Sequence, residues 1–100
     1  MAITVRSASK EVEALMSAPP GKTVKGLQPQ EAKKIRRQIS VILAADSMVE
    51  IMDSHPAWHV HRYKGDERTW SFDVAGATRL LMEWDGIHKE VSDVRFDNPH

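Results

Sequence analysis

Trp70-Ser71-Phe72-Asp73-Val74-Ala75-Gly76-Ala77-Thr78-Arg79-Leu80-Leu81-Met82-Glu83-Trp84 carries two strand signals back to back. Trp70, Phe72 and Val74 alternate with Ser71 and Asp73, the period of a strand with one apolar face. Gly76 interrupts the run, and Thr78 to Trp84 forms a second, strongly apolar strand. Asp85-Gly86 is a strong hairpin signal that returns residues 87 to 96 antiparallel to it. Val91, Val94 and Phe96 fit that third strand imperfectly, so a bulge is expected near Ser92-Asp93. On the N-terminal side, His59, His61 and Tyr63 alternate with Val60, Arg62 and Lys64 ahead of a Gly65-Asp66-Glu67-Arg68 turn. A strand is therefore expected from His59, with its two histidines on one face.

The first half of the chain is helical in pattern. Ser9 caps a helix carrying Val12, Leu15 and Met16, which Pro19-Pro20-Gly21 ends. Residues 22–28 form a connector. The strongest helix runs from Pro29 to Ala45, with Ala32, Ile35, Ile39 and Ile42 on one side. Ser47 and Glu50 have capping-box spacing ahead of a short helix that ends before Pro56. Ile3 and Val5 suggest a short edge strand. The fold class is α+β, with N-terminal helices packed on one face of a four- to five-stranded, mainly antiparallel, twisted sheet.

One hundred residues suit one domain, 1–100. The 14 basic and 14 acidic residues give no global attraction to nucleic acid, although Lys and Arg lead eight to five before residue 51 and trail six to nine after it. Without cysteine there is no disulfide framework and no thiolate metal site, which fits a reducing cytosol. No apolar run approaches the roughly 18 residues of a membrane span, and residues 1–11 lack the apolar core of a signal peptide. The expectation is a cytoplasmic protein with no membrane partner.

Metal chemistry is the first possibility that five histidines raise. His59 and His61 on one strand face would begin a zinc site, with His55, His88 or His100 completing it. The His-Glu-x-x-His spacing is absent, however, and the expectation is no metal and no cofactor. Metal-free RNA cleavage needs a base for the 2′-hydroxyl, a cation for the phosphorane and an acid for the leaving oxygen. His61, Lys64, Arg79 and His100 are the residue types for those roles. Arg62 and Arg68, with Lys33, Lys34, Arg36 and Arg37 on the long helix, are candidate RNA-binding residues; for the last four a solvated helix face is the simpler reading, and an electrostatic guide for RNA phosphates or an acidic partner the sharper one. Trp58, Trp70 and Trp84 are packing residues, and His55 and His88 ordinary turn and strand positions.

Four ordered blocks carry a family resemblance. They are Gly26-Leu27-Gln28-Pro29-Gln30-Glu31-Ala32-Lys33-Lys34-Ile35-Arg36-Arg37-Gln38-Ile39, then Pro56-Ala57-Trp58-His59-Val60-His61-Arg62-Tyr63-Lys64-Gly65-Asp66, then Trp70 to Leu80, and the terminal His100. From about Lys25 onward the chain resembles the HigB-like killer toxins of the RelE/ParE superfamily. The resemblance implies a β-sheet ribonuclease that cuts messenger RNA in the ribosomal A site. It further implies a helix-turn-helix antitoxin that neutralises the toxin and brings it to operator DNA. His61 and Lys64 match the family's His-x-x-Lys pair, Arg79 the strand arginine that steadies the phosphate, and His100 the terminal proton-transfer histidine.

The chain departs from that pattern at four places. Asp73 stands where many relatives are basic, and it repels RNA if it faces the site. Asn98 and Pro99 replace an acidic residue and a tyrosine, and the turn at 65–69 is about one residue shorter. Two other classes of function stay open: a non-nuclease toxin acting on gyrase, as ParE-type members do, or a regulatory module that only binds antitoxin and DNA.

Overall fold

Each helix begins where a polar side chain or a proline relieves the first unpaired amides. Ser9 Oγ accepts from Val12 N at 3.2 Å and opens α1 (Lys10–Ser17). Pro29 starts α2 (Pro29–Ala44), with Glu31 Oε1 accepting from Gln28 N at 2.8 Å. Ser47 Oγ accepts from Glu50 N at 3.1 Å and opens α3 (Met48–Ser54). The computed structural model describes residues 2–19, 21–63 and 65–98. Lys64 and His100, two of the four expected catalytic residues, lie outside the described residues.

Five strands form one sheet: β1 (Thr4–Val5), β2 (His61–Arg62), β3 (Thr69–Ala75), β4 (Thr78–Asp85) and β5 (Glu90–Asp97). Their order is β1-β5-β4-β3-β2, antiparallel throughout except for the parallel β1–β5 pair. Val12, Leu15, Ala32, Ile35, Ile39, Ile42, Met48 and Ile51 from the helices bury against Phe72, Val74, Leu80, Met82, Val91 and Val94. All the helices therefore sit on one face, as the apolar alternation requires. Phe72 is fully buried at the centre, and truncating such a side chain costs ~3–5 kcal/mol.

Gly76, at φ +53°, takes the first central position of the two-residue turn that joins β3 to β4. From there Asp73 pairs with Arg79, Phe72 with Leu80 and Trp70 with Met82. The expected irregularity near Ser92-Asp93 is present: the register slips between Leu81 and Glu83, and Asp93 turns to φ +51°.

Two expectations are corrected. No strand begins at His59. Pro56–Trp58 forms a 3-10 turn, because proline fixes φ for its start and buried Trp58 anchors its end, stacked on His55 at 4.1 Å. His59 then reverses the chain at φ +46°, which leaves only His61 and Arg62 to pair with β3. The return strand likewise begins at Glu90 rather than residue 87. Asp85 Oδ1 accepts from Ile87 N and His88 N, which closes a four-residue turn in place of a two-residue one.

Candidate functional site

The helix-free face of the sheet is where the polar residues of β2, β3 and β4 meet. Across it, His61 lies opposite Ser71, Ser71 opposite Leu81, and Leu81 opposite Arg95. Asp73, Arg79 and Asp97 form the adjoining row. Ser71 and Leu81 are buried, so this face is floored by packed side chains.

A chain of polar contacts ties these rows together. His61 Nδ1 bonds the His59 carbonyl oxygen. A carbonyl only accepts, so Nδ1 carries the proton; in the neutral ring, the lone pair is then on Nε2. His59 Nδ1 bonds Asp73 Oδ2 at 2.9 Å, and Arg79 Nε lies 3.0 Å from Asp73 Oδ1. Arg79 Nη1 donates to the Gly76 and Thr78 carbonyls at 2.7 and 3.1 Å, which fixes the guanidinium over the β3–β4 turn. Asp73 itself is held from below: buried Gln38 on α2 donates Nε2 to its carbonyl at 2.8 Å, where the β3 register shifts. Asp73 thus faces the site, and its carboxylate engages the arginine expected to hold phosphate.

The structure brings His61 and Arg79 to the same face and adds His59 and Asp73 to them. Their signal was partly present in the sequence, since a hairpin folded about Gly76 sets Asp73 across from Arg79. Nothing in the sequence pattern marked the left-handed turn that brings His59 to Asp73.

The expected RNA-binding arginines and lysines are scattered. Arg62 lies on the helix side of β2, with its guanidinium 5.7 Å from the Trp70 ring centroid, where it covers that indole. Arg68 is exposed at the end of β3 away from Arg79, beside a cleft of about 450 Å³ bordered by Arg6, Trp84 and Glu90. Lys33, Lys34, Arg36 and Arg37 ride on α2, separated from His61 and Arg79 by the sheet. Arg36 has a structural role in the fold. Its Nε donates to the Leu15 carbonyl and its Nη2 to the Pro19 carbonyl, both at 3.3 Å, closing the C-terminal end of α1, whose last turn has no basic residue of its own.

Two short motifs are polar but structural. Asp66 accepts from Arg68 N at 3.0 Å and Thr69 Oγ1 at 2.8 Å, and those bonds hold its carboxyl below the usual carboxylate range. Asp85 Oδ2 and His88 Nδ1 are 2.7 Å apart; the hydrogen bond lowers the pKa of Asp85 and raises that of His88. Asp85, His88 and Glu90 offer metal-ligand atoms within 4.8 Å of one another, the one such group among the described residues. Both Asp85 oxygens and His88 Nδ1 are already used in closing the turn, roughly 20 Å from Arg79 at ~3.3 Å per residue.

In fold, the chain is similar to the RelBE2 toxin–antitoxin complex from Mycobacterium tuberculosis, with 20% identity and a TM-score of 0.45 over 99% of this chain and 100% of that one. No family model matches the sequence, and no curated protein matches it. At that level of similarity the likeness carries no chemistry to this chain, whose site rests on its own residues.

Proposed function

We propose that this chain is the toxin of a type II toxin–antitoxin module, an endoribonuclease that cleaves messenger RNA on the ribosome by metal-free acid–base chemistry. The observation that carries the proposal is the His61 tautomer: Nδ1 is committed to the His59 carbonyl, which leaves Nε2 to take a proton on the face that also holds Arg79. In the reaction, His61 or Lys64 removes the 2′-hydroxyl proton as O2′ bonds to phosphorus. Arg79 neutralises the phosphorane, and His100 protonates the 5′-oxygen as the P–O5′ bond breaks. A 2′,3′-cyclic phosphate and a 5′-hydroxyl result. No metal or cofactor enters.

The partners of this reading are a helix-turn-helix antitoxin, the ribosome with its mRNA, and operator DNA through the antitoxin. The protein would act in the cytoplasm; among the described residues, no helix is long and apolar enough to cross a membrane. A second reading is favoured by one observation, the Asp73–Arg79 ion pair, which occupies the phosphate-binding cation. It is a non-nuclease toxin acting on gyrase, or a regulatory module bound to antitoxin and DNA.

Primer extension on a reporter mRNA in a translating extract separates them. The nuclease gives codon-phased cuts, and His61→Ala lowers their rate by about 10²–10⁴-fold, the usual worth of a positioned base. Cleavage by His61→Ala and Arg79→Ala equal to wild type would defeat the assignment. Gyrase poisoning without cuts would establish the second reading.

A further inference from the structure

We infer that His59 and Arg79 form a two-point cradle for a phosphodiester, and that the chain's own Asp73 carboxylate is its resting occupant. The inference deepens the proposal that RNA is the substrate and rests on it. Asp73 is gripped at both oxygens, Oδ2 by His59 Nδ1 at 2.9 Å and Oδ1 by Arg79 Nε at 3.0 Å. A phosphodiester presents two non-bridging oxygens on one centre with a single negative charge. It therefore meets the same two donors that a carboxylate meets.

Three features show a built arrangement rather than a chance surface pair. His59 holds φ +46°, a conformation that side chains other than glycine adopt rarely and that persists where the surroundings fix it. Its carbonyl is the acceptor for His61, so the same residue orients the proposed base and reaches toward the proposed phosphate. Asp73 is pinned by Gln38 through its backbone, and Arg79 by the Gly76 and Thr78 carbonyls. The three side chains remain open to solvent, at 71% for His59, 30% for Asp73 and 35% for Arg79. An incoming strand reaches the cradle without any rearrangement of the sheet.

The carboxylate and the phosphodiester are alternatives, because each needs the same N–H groups. A carboxylate that fills the cradle nine-tenths of the time lowers the apparent affinity for a phosphodiester about tenfold. Asp73 then sets the strength of RNA binding, and His59 is a phosphate-positioning residue alongside Arg79.

The test is binding of a 2′-deoxy oligonucleotide, which cannot be cleaved, at fixed salt and pH. Asp73→Asn keeps the shape and is expected to bind roughly tenfold tighter, the worth of one charge-assisted hydrogen bond. Glu83→Gln, on the same face two rows away, makes the same change in net charge and is expected to gain less than threefold. In an Arg79→Met or a His59→Leu background, the gain from Asp73→Asn should shrink to that of Glu83→Gln. Asp73→Asn affinity within twofold of wild type, or a full gain that survives loss of Arg79, would overturn the inference. Should Asp73→Asn fail to fold, the wild-type chain serves: the oligonucleotide must shift the Arg79 Hε and His59 ring resonances, and unmoved signals overturn it. Cleavage is scored separately. Tighter binding by Asp73→Asn without mRNA cleavage by any variant sustains the cradle and sinks the nuclease.

Discussion

Arg36→Met separates a structural arginine from an RNA-binding one. Methionine keeps the aliphatic stem against α1 and α2 but removes both bonds to the Leu15 and Pro19 carbonyls. Charge-assisted bonds of good geometry are worth ~1.5–3 kcal/mol, but these are 3.3 Å long and partly exposed, so roughly 0.5 kcal/mol each is a fair value. Loss of a positive charge at a helix C-terminus adds ~0.3–1 kcal/mol. The sum is about 1–2 kcal/mol, a fall in Tm of at least ~4 °C for a domain of this size. Arg37→Met removes an equal charge one position along, from an exposed side chain, and should stay within ~0.5 kcal/mol of wild type. Urea denaturation measures both, and oligonucleotide titration below the transition measures RNA affinity. Unchanged stability of Arg36→Met together with a large loss of affinity would refute the structural assignment.

Thr78→Val removes a buried hydroxyl that donates to Glu31 Oε2 and lies 3.1 Å from Asn98 Oδ1; the expected cost is ~1–3 kcal/mol by urea denaturation. The pKa of His88 is raised in the fold, so its contribution to stability is complete below the unfolded value of ~6.5 and disappears as pH rises through the folded value; that of Asp85 is lowered, so its contribution is complete above ~3.9 and disappears as pH falls through the folded value. An NMR titration should therefore place the His88 midpoint above ~6.5 in wild type, and lower in Asp85→Asn. Chelation with EDTA should leave the rate of mRNA cleavage unchanged under conditions where the ribosome stays intact; a loss restored by added divalent cation would contradict the metal-free scheme.

The helices and central strands were legible because their signals are local. Ser9 and Ser47 cap as their spacing requires, and Pro29 opens the helix whose Ile35, Ile39 and Ile42 meet the sheet. Alternation from Trp70 to Val74 fixed the buried face of β3, and the poor fit of Val91 and Val94 announced the bulge at Asp93. What sequence missed depends on backbone dihedrals and on distant partners. Alternation at His59 and His61 is equally consistent with a strand and with a left-handed corner; the corner follows a 3-10 turn that Pro56 starts and buried Trp58 ends. Arg36 looked like a free cation because its acceptors lie 17 and 21 residues away, at the end of another helix.

The parallel pairing of β1 with β5 has a consequence for synthesis. Among the described residues, the strand latest in the chain, β5, is an interior one, flanked by the edge strand β1 and by β4. Thr4 and Val5 therefore wait, unpaired, until Glu90 and Val91 have left the ribosome, and Arg79 lacks its β5 neighbour Asp97 for as long. Contacts of such long sequence separation form late. A chain still on the ribosome can raise its helices early, but the sheet that carries His61 and Arg79 is completed only once Glu90–Asp97 has emerged to pair with both β4 and β1.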